Sequence, residues 1–344
     1  MANRSAKFSN NTDRLVVEML EGWVMANPSR IALNSDGHVI RASPKVDGGV
    51  ALVIGNGTGH EPAMVGFVGR GLMDLNIAGP VFAAPSAAEV VKGILGADRG
   101  GGVLLCVSNH EGDVLAADLA IELLEDEADA PEVRVAVLGE DIGAAFEHRS
   151  QRRGGAGLLF VWKLLGAYAE GGHTLDECHA LALRVADRCA SLSATMTSGS
   201  HPLSGATLAE IPEGHVLLGS GVHGEGTNAV PLGSVDDLIC QMIDLLLADA
   251  VVGQAKRLAL VVNNSGSLTG MELGIVARSA RLELESRSIT VERTWFGRYA
   301  TTQEAAGFVL ALCAVDSEFL ALYDAPADGP SWSYSPDLTR GFNE

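Results

Sequence analysis

The apolar run Val50-Ala51-Leu52-Val53-Ile54 is followed directly by Gly55-Asn56-Gly57-Thr58-Gly59-His60-Glu61-Pro62. Apolar residues without polar alternation, ended by glycine, are typical of a parallel strand that is covered on both faces. Sheets of this kind bind their ligands in the loops that follow the strands. Closely spaced glycines let the backbone approach a bound molecule, and His60 stands at the end of that loop. A tight turn with a packed histidine fits the same spacing, so this stretch leaves both interpretations open.

The order of strand, polar loop and helix recurs after this stretch. A second buried strand is predicted at residues 103–107; it ends at Ser108-Asn109-His110-Glu111-Gly112-Asp113, before a helix at 114–127. A third strand is predicted at residues 133–138. This alternation is typical of a parallel sheet with crossover helices. Because the carboxyl ends of such strands meet at one edge, we expect Asp113 to lie near His60.

The fold class predicted by the whole chain is α/β with two domains. We expect an N-terminal parallel-sheet α/β domain over residues 1–190, and a smaller mixed α+β domain over residues 191–344, consistent with a chain of 344 residues. Residues 63–72 predict one further helix in the first domain, broken by Gly69 and Gly71. In the second domain, a strand beginning at Val216 runs into a glycine-rich turn that carries His223. The Ser-, Thr- and Gly-rich residues 195–205 predict a boundary or a loop over a site.

Composition excludes several classes of function. The chain has 24 Lys and Arg against 43 Asp and Glu, a net charge of −19, which argues against a nucleic-acid surface. The five cysteines are scattered without metal-ligand spacing, so we expect no metal site and a reducing compartment. The polar N-terminus lacks a signal-peptide core, and no apolar run reaches the length of a membrane span. The sequence therefore predicts a cytoplasmic protein.

Candidate catalytic groups stand in glycine-containing loops after apolar strands. They are His60, His110, Asp113 and His223. A neutral imidazole nitrogen can act as base, hydrogen-bond partner or nucleophile. Asp113 follows a glycine at a helix start, so it fits a helix N-cap as well as a catalytic carboxylate.

Two further patterns concern anions. Arg152-Arg153-Gly154 could bind an anion, although pairing with surface acids is the commoner use of such arginines. The chain lacks the lysine-bearing phosphate loop, and the Rossmann fingerprint after the first strand is incomplete. The sequence therefore shows no evident binding site for ATP or NAD.

Five motifs, in order, resemble the substrate-binding subunit of dihydroxyacetone kinase. They are Gly-Asn-Gly-Thr-Gly-His-Glu-Pro at 55–62, Asn-His-Glu-Gly-Asp at 109–113, Arg-Arg-Gly at 152–154, Gly-Val-His-Gly-Glu at 221–225 and Val-Asn-Asn-Ser-Gly at 262–266. The similarity extends from about Lys7 to Tyr323-Asp324-Ala325-Pro326. The resemblance thus covers nearly the whole chain.

The resemblance implies a kinase, a phosphotransferase with an alcohol group as acceptor, which captures its ketone covalently. His223 would add to the carbonyl carbon and form a hemiaminal. Asp113 would accept the proton of the attacking hydroxyl group, and His60 would orient the substrate by a hydrogen bond. The remaining substrate-binding positions implied by the resemblance are Gly57, Thr58, Gly59, Ser108 and His110.

The partners are also implied by the resemblance alone. ATP or ADP with Mg²⁺ would sit on a separate all-helical, nucleotide-binding kinase subunit, with no cofactor bound by this chain. That subunit would use ATP directly, or an ADP recharged by a phosphoenolpyruvate-dependent phosphotransferase chain. The resemblance also leads us to expect a homodimer.

The loop before Asp113 departs from the family pattern. The family usually has Lys-Asn-Tyr-Thr-Gly-Asp where this chain has residues 108–113, and Gly226 replaces a proline. The loss of a lysine at position 108 removes a cation and donor from the substrate pocket. We therefore expect dihydroxyacetone, or a longer or differently charged ketose such as erythrulose. The alternative is a non-catalytic, ketone-binding regulatory paralogue; a dehydrogenase or lyase has only the generic α/β pattern in its favour.

Overall fold

A computed structural model describes residues 7–143, 145, 147–221 and 228–335. Within these ranges the chain forms two six-stranded sheets, a two-stranded sheet and eight α-helices. His223, the predicted nucleophile, lies outside the described residues. No helix in the described part of the chain is both long and apolar enough to cross a membrane.

The first sheet has a parallel centre and an antiparallel edge. Its strands are β1 (Ile31–Leu33), β2 (Val39–Arg41), β3 (Ala51–Thr58), β4 (Leu75–Val81), β5 (Val103–Ser108) and β6 (Val133–Leu138). Their spatial order is β1-β2-β4-β3-β5-β6, and the strands from β4 to β6 are parallel to one another. The chain order reverses between β3 and β5, which is where α/β sheets form their ligand crevice.

Helices cover both faces of this sheet. They are α1 (Leu15–Ala26), α2 (Ala87–Ala97), α3 (Glu111–Leu124), α4 (Leu158–Glu170) and α5 (Leu175–Asp187). The helix predicted at residues 63–72 is wrong, because that segment contains only a 3₁₀ turn at Val65–Phe67. Gly69 and Gly71 adopt φ angles of 154° and 68°, which a right-handed helix cannot contain.

The second sheet contains both parallel and antiparallel strand pairs. Its strands are β7 (Cys189–Thr197), β8 (His215–Leu218), β9 (Asn228–Pro231), β10 (Arg257–Asn264), β11 (Thr290–Gly297) and β12 (Ala306–Ala314), in the order β11-β10-β12-β7-β8-β9. Only β10 and β11 form a parallel pair in this sheet as described. The accompanying elements are α6 (Val235–Leu247), α7 (Gly270–Ser286), α8 (Ser317–Tyr323), and the short strands β13 (Ala327–Asp328) and β14 (Ser333–Tyr334). The α/β fold class is confirmed, whereas a domain boundary at residue 190, which falls within β7, stays a prediction.

The two sheets share one hydrophobic core. Ten of the 13 residues of α4 are buried, which is typical of a helix that is enclosed on all sides. The cluster around α4 contains Leu52 and Leu104 from the first sheet, together with Val261 and Ala311 from the second. The polar loops of the first sheet are therefore held close to the second sheet.

Candidate functional site

A cavity of about 970 Å³ lies at the carboxyl ends of β3 and β5. Its lining includes most of the predicted site residues, namely Gly57, His60, Ser108, His110 and Asp113. Because β3 and β5 are neighbours in the sheet, the two polar loops meet there, as the sequence predicts. Thr58 and Gly59 do not line this cavity: the Thr58 hydroxyl group donates to the Gly79 carbonyl oxygen at 3.1 Å, and Gly59 packs against Phe82.

The first half of the glycine stretch is strand, because β3 continues to Thr58, and a turn follows at residues 61–64. A Cβ atom at Gly57 would lie 2.8 Å from the Ala83 carbonyl oxygen, so the neighbouring backbone occupies the space of a side chain. Gly57 therefore lets two backbone segments approach each other at the wall of the cavity.

His60 is held in one orientation and is kept neutral. Its Nδ1 lies 2.7 Å from the Thr301 carbonyl oxygen, an acceptor, so Nδ1 carries the proton and Nε2 carries the lone pair. Burial lowers the pKa of His60, against the opposing effect of the hydrogen bond to Thr301. A neutral imidazole with a basic Nε2 can accept a hydrogen bond from a hydroxyl group.

The second sheet fixes the loop that carries His60. The segment between β11 and β12 binds this loop through Thr301, whose hydroxyl group donates to the Glu61 carbonyl oxygen at 2.8 Å. Gln303 Nε2 donates to the Gly59 carbonyl oxygen at 3.0 Å. Thr301 and Gln303 could not be recognised from the sequence, because neither belongs to a motif and both contact residues more than 200 positions away.

Asp113 is a buried carboxyl group with one satisfied oxygen. Asn56 Nδ2 donates to Asp113 Oδ2 at 3.0 Å, while Oδ1 has no hydrogen-bond partner among the described residues. Burial raises the pKa of Asp113 to about 6, and the hydrogen bond from Asn56 opposes this rise. The N-cap interpretation is wrong, since His110 is the N-cap of α3 and Asp113 lies within its first turn. A carboxyl group that titrates near neutral pH suits proton transfer.

His110 and Ser108 form the wall beside Asp113. Ser108 Oγ and His110 Nδ1 lie 2.9 Å apart, and His110 Nδ1 is 4.0 Å from Asp113 Oδ2. Burial lowers the pKa of His110 to about 4, and the charges of Arg153 and His60 act in the same direction. His110 is thus neutral near pH 7, so this wall offers hydrogen bonds rather than a fixed cation.

The two arginines of the Arg-Arg-Gly motif have different surroundings. Arg152 Nη1 binds Asp249 Oδ2 at 2.7 Å, and both side chains are buried. Surface pairing is therefore the wrong interpretation for Arg152. Arg153 lines the cavity, where its charge acts on His110.

Glu140, which the sequence did not single out, organises the loop that follows the arginines. Its carboxylate accepts hydrogen bonds from the backbone N–H groups of Gly155 and Gly157 and from Ser191 Oγ, at 2.7 to 3.1 Å. Burial raises the pKa of Glu140 to about 7, against the effect of the Gly155 hydrogen bond. Ser191 belongs to β7, so Glu140 joins the cavity loop of the first sheet to the second sheet.

The segment next to His223 is described up to Gly221. The Gly221 N–H group donates to Ser193 Oγ at 3.1 Å, and Ser220 is buried against Ser193 and Thr195. Within the described ranges, no group of three or more His, Cys, Asp or Glu could hold a metal ion.

Comparisons with known proteins agree on one family. Residues 21–331 match the family model described as the Dak1 domain. The dihydroxyacetone-binding subunit DhaK of PTS-dependent dihydroxyacetone kinase 1 from Listeria innocua is 32% identical over 331 residues, covering 95% of this chain and 99% of the relative.

Two solved structures are similar over nearly all of this chain. The dihydroxyacetone kinase of C. freundii, in complex with AMP-PNP and Mg²⁺, has a TM-score of 0.87 and 30% identity, covering 96% of this chain and 61% of that chain. The dihydroxyacetone kinase operon co-activator Dha-DhaQ has a TM-score of 0.85 and 28% identity, covering 92% of this chain and 98% of that chain. A kinase and a co-activator thus share this architecture.

Proposed function

Because this chain belongs to the Dak1 domain family, we propose that it is the substrate-binding subunit of a dihydroxyacetone-type kinase. It holds a short ketose and presents a hydroxyl group of that ketose for phosphorylation by a nucleotide-carrying partner subunit. The observation that carries this function is the pairing of Asp113, whose pKa is about 6, with a neutral His60 in one cavity. These are the two groups needed to deprotonate and to orient a hydroxyl group.

The proposed reaction begins with covalent capture. An imidazole nitrogen of His223 forms a bond to the carbonyl carbon, the carbonyl π electrons move to oxygen, and a proton passes from the imidazole to that oxygen. The product is a hemiaminal. Glycerol has no carbonyl group and is excluded by this chemistry.

Transfer then depends on the two described groups. His60 Nε2 accepts a hydrogen bond from the bound substrate, and Asp113 accepts the proton of the terminal hydroxyl group as its oxygen attacks phosphorus. Gly57, Ser108 and His110 complete the pocket wall. In the proposal ATP or ADP with Mg²⁺ stays on the partner, an all-helical subunit, and this chain binds no cofactor.

The cellular setting is proposed from the sequence. The chain would act in the cytoplasm as a homodimer, and its five unpaired cysteines are consistent with a reducing compartment. Either dihydroxyacetone or a longer ketose such as erythrulose would be the substrate, because Ser108 and His110 leave the wall uncharged where the family usually has lysine.

A second candidate function is ketone-dependent regulation without phosphoryl transfer. Two observations favour it: the altered loop at residues 108–111, and the similarity to the operon co-activator. The retention of Asp113 and His60 favours the kinase.

The experiment is intact-protein mass spectrometry after incubation with dihydroxyacetone, erythrulose and glyceraldehyde, under non-denaturing conditions that preserve the adduct. We expect a mass increase of one sugar in the unmodified protein and none in His223→Ala. Asp113→Asn should keep the adduct and lose phosphoryl transfer. An adduct without transfer in the unmodified protein would favour the regulator, and no adduct with any sugar would reject both functions.

A further inference from the structure

Helix α3 exposes a row of leucines on the side away from its sheet. Leu115, Leu119 and Leu123 are 60%, 44% and 49% exposed, whereas Ala117, Ala120 and Leu124 on the opposite side are buried. Residues four positions apart lie one above another on a helix, so the three leucines form a continuous apolar row, here called the α3 ridge. Exposed apolar rows of this kind are typical of contact surfaces.

The α3 ridge begins at the mouth of the cavity. Leu115 lines the cavity, and Asp113 lies in the same first turn of the helix. From Leu115 to Leu123 the ridge extends roughly 12 Å away from the mouth. The proposed reaction requires the donor phosphorus to come within about 3 to 3.5 Å of the substrate oxygen. Any protein that carries the donor must therefore cover this mouth, beside the ridge.

The edge of the first sheet exposes a further apolar residue on the side that α3 covers. Val137, near the carboxyl end of the edge strand β6, is 39% exposed. Alternate residues of a strand share a face, so Val137 lies on the same side of the sheet as Val133 and Val135, which pack in the cluster that contains the inner side of α3. The exposed apolar surface is thus wider than one helix.

Charge distinguishes between the proteins that could cover this surface. Residues 111–132 contain nine Asp and Glu and no Lys or Arg. A second copy of the ridge would place acidic groups against acidic groups, and such a contact is repelled. A nucleotide carrier, in contrast, holds phosphate groups with cations, which face the acceptor site and attract an acidic surface.

We propose that the α3 ridge is the docking surface for the nucleotide-carrying partner, which meets it with an apolar surface bordered by Lys and Arg. This inference rests on the proposed function. It adds the place and the chemistry of the contact between the two subunits.

The test compares binding by two matched variants. Leu119→Glu adds a negative charge to the ridge, and Ile275→Glu does the same at a 46%-exposed position on α7. Glutamate is a good helix former, and both side chains are exposed, so both variants should fold. The probe is the nucleotide-carrying subunit that acts with the Listeria innocua relative, loaded with ADP and Mg²⁺, and the measured quantity is its Kd for each variant.

We expect Leu119→Glu to raise the Kd about tenfold or more and Ile275→Glu to leave it unchanged. The Kd of the unmodified protein should also rise with salt, since the attraction to the acidic rim is screened. Equal binding by the two variants, or no binding by the unmodified protein, would overturn the docking proposal. The ketone adduct is measured on the same samples, to separate this outcome from failure of the proposed function. If the adduct forms, ketone capture is retained although the docking proposal is rejected.

Discussion

Asn56 and Asp113 lie 57 positions apart in the chain, and the Asn56 amide donates a hydrogen bond of 3.0 Å to the Asp113 carboxylate. This contact joins the end of β3 to the first turn of α3 and favours the ionised form of a carboxyl group whose pKa burial raises. The basicity of Asp113 is therefore set partly by a residue of the glycine stretch.

Replacement of Asn56 by alanine should raise the pKa of Asp113 further above its value of about 6. The base would then be ionised only at higher pH, so the acid limb of the pH profile of phosphoryl transfer should move to higher pH. The rates of the variant and the unmodified protein should converge in alkaline solution. An unshifted acid limb would show that Asn56 does not control this base.

Asp113→Asn should lower the phosphoryl transfer rate by about 10² to 10⁴, the usual contribution of a general base, while the ketone adduct persists.

The same variant, Asp113→Asn, should be more stable than the unmodified protein at pH 7. A carboxyl group whose pKa rises on folding, here to about 6, destabilises the folded state progressively as pH increases from about 4 to about 6. Thermal unfolding at pH 3 and pH 7 measures this: the gain, at most about 3 kcal/mol, should be present only at the higher pH.

Glu140→Leu should destabilise the protein and weaken ketone binding. The leucine side chain has no acceptor for the hydrogen bonds that the carboxylate receives from Gly155, Gly157 and Ser191. A buried donor left without its acceptor costs about 1 to 3 kcal/mol, which urea unfolding can measure. Glu122→Leu, on the exposed side of α3, is the matched control and should change neither stability nor the ketone concentration for half-saturation. Loss of stability without any effect on ketone binding would contradict a role for Glu140 in shaping the cavity.

His60 should remain neutral at pH 6.5, with its proton on Nδ1. The Thr301 carbonyl oxygen selects this tautomer, and burial lowers the pKa below the ordinary value of 6.5. Nitrogen-15 NMR of the imidazole groups distinguishes the tautomers and follows the titration. A half-protonated His60 at pH 6.5, or a proton on Nε2, would be inconsistent with the proposed hydrogen bond to the substrate.

The sequence predicted the elements that depend on local pattern. The apolar runs that became β5 and β6 were located to within one residue, because a buried parallel strand is a continuous apolar segment. The meeting of Asp113 with His60 followed from the order of the strands. The helix predicted at residues 63–72 is wrong, because Gly69 and Gly71 have positive φ angles and pack closely against the backbone of Asp328 and Pro326.

Contacts between distant parts of the chain were not predictable. Arg152 forms an ion pair with Asp249, which is 97 positions away in the chain. His60 forms a hydrogen bond with Thr301, at a separation of 241 positions. Periodicity and spacing describe one segment at a time, and each of these pairs depends on how the two sheets pack around α4. The fold class and the meeting of five predicted site residues in one cavity could thus be predicted, but the groups that hold His60 and Arg152 in place could not.

The enclosure of α4 has a consequence for folding. Because its apolar residues contact both sheets, neither half of the chain can bury this helix alone. We therefore expect heat or urea to unfold both halves in a single cooperative transition, and the N-terminal half produced by itself to aggregate through the uncovered flank of α4.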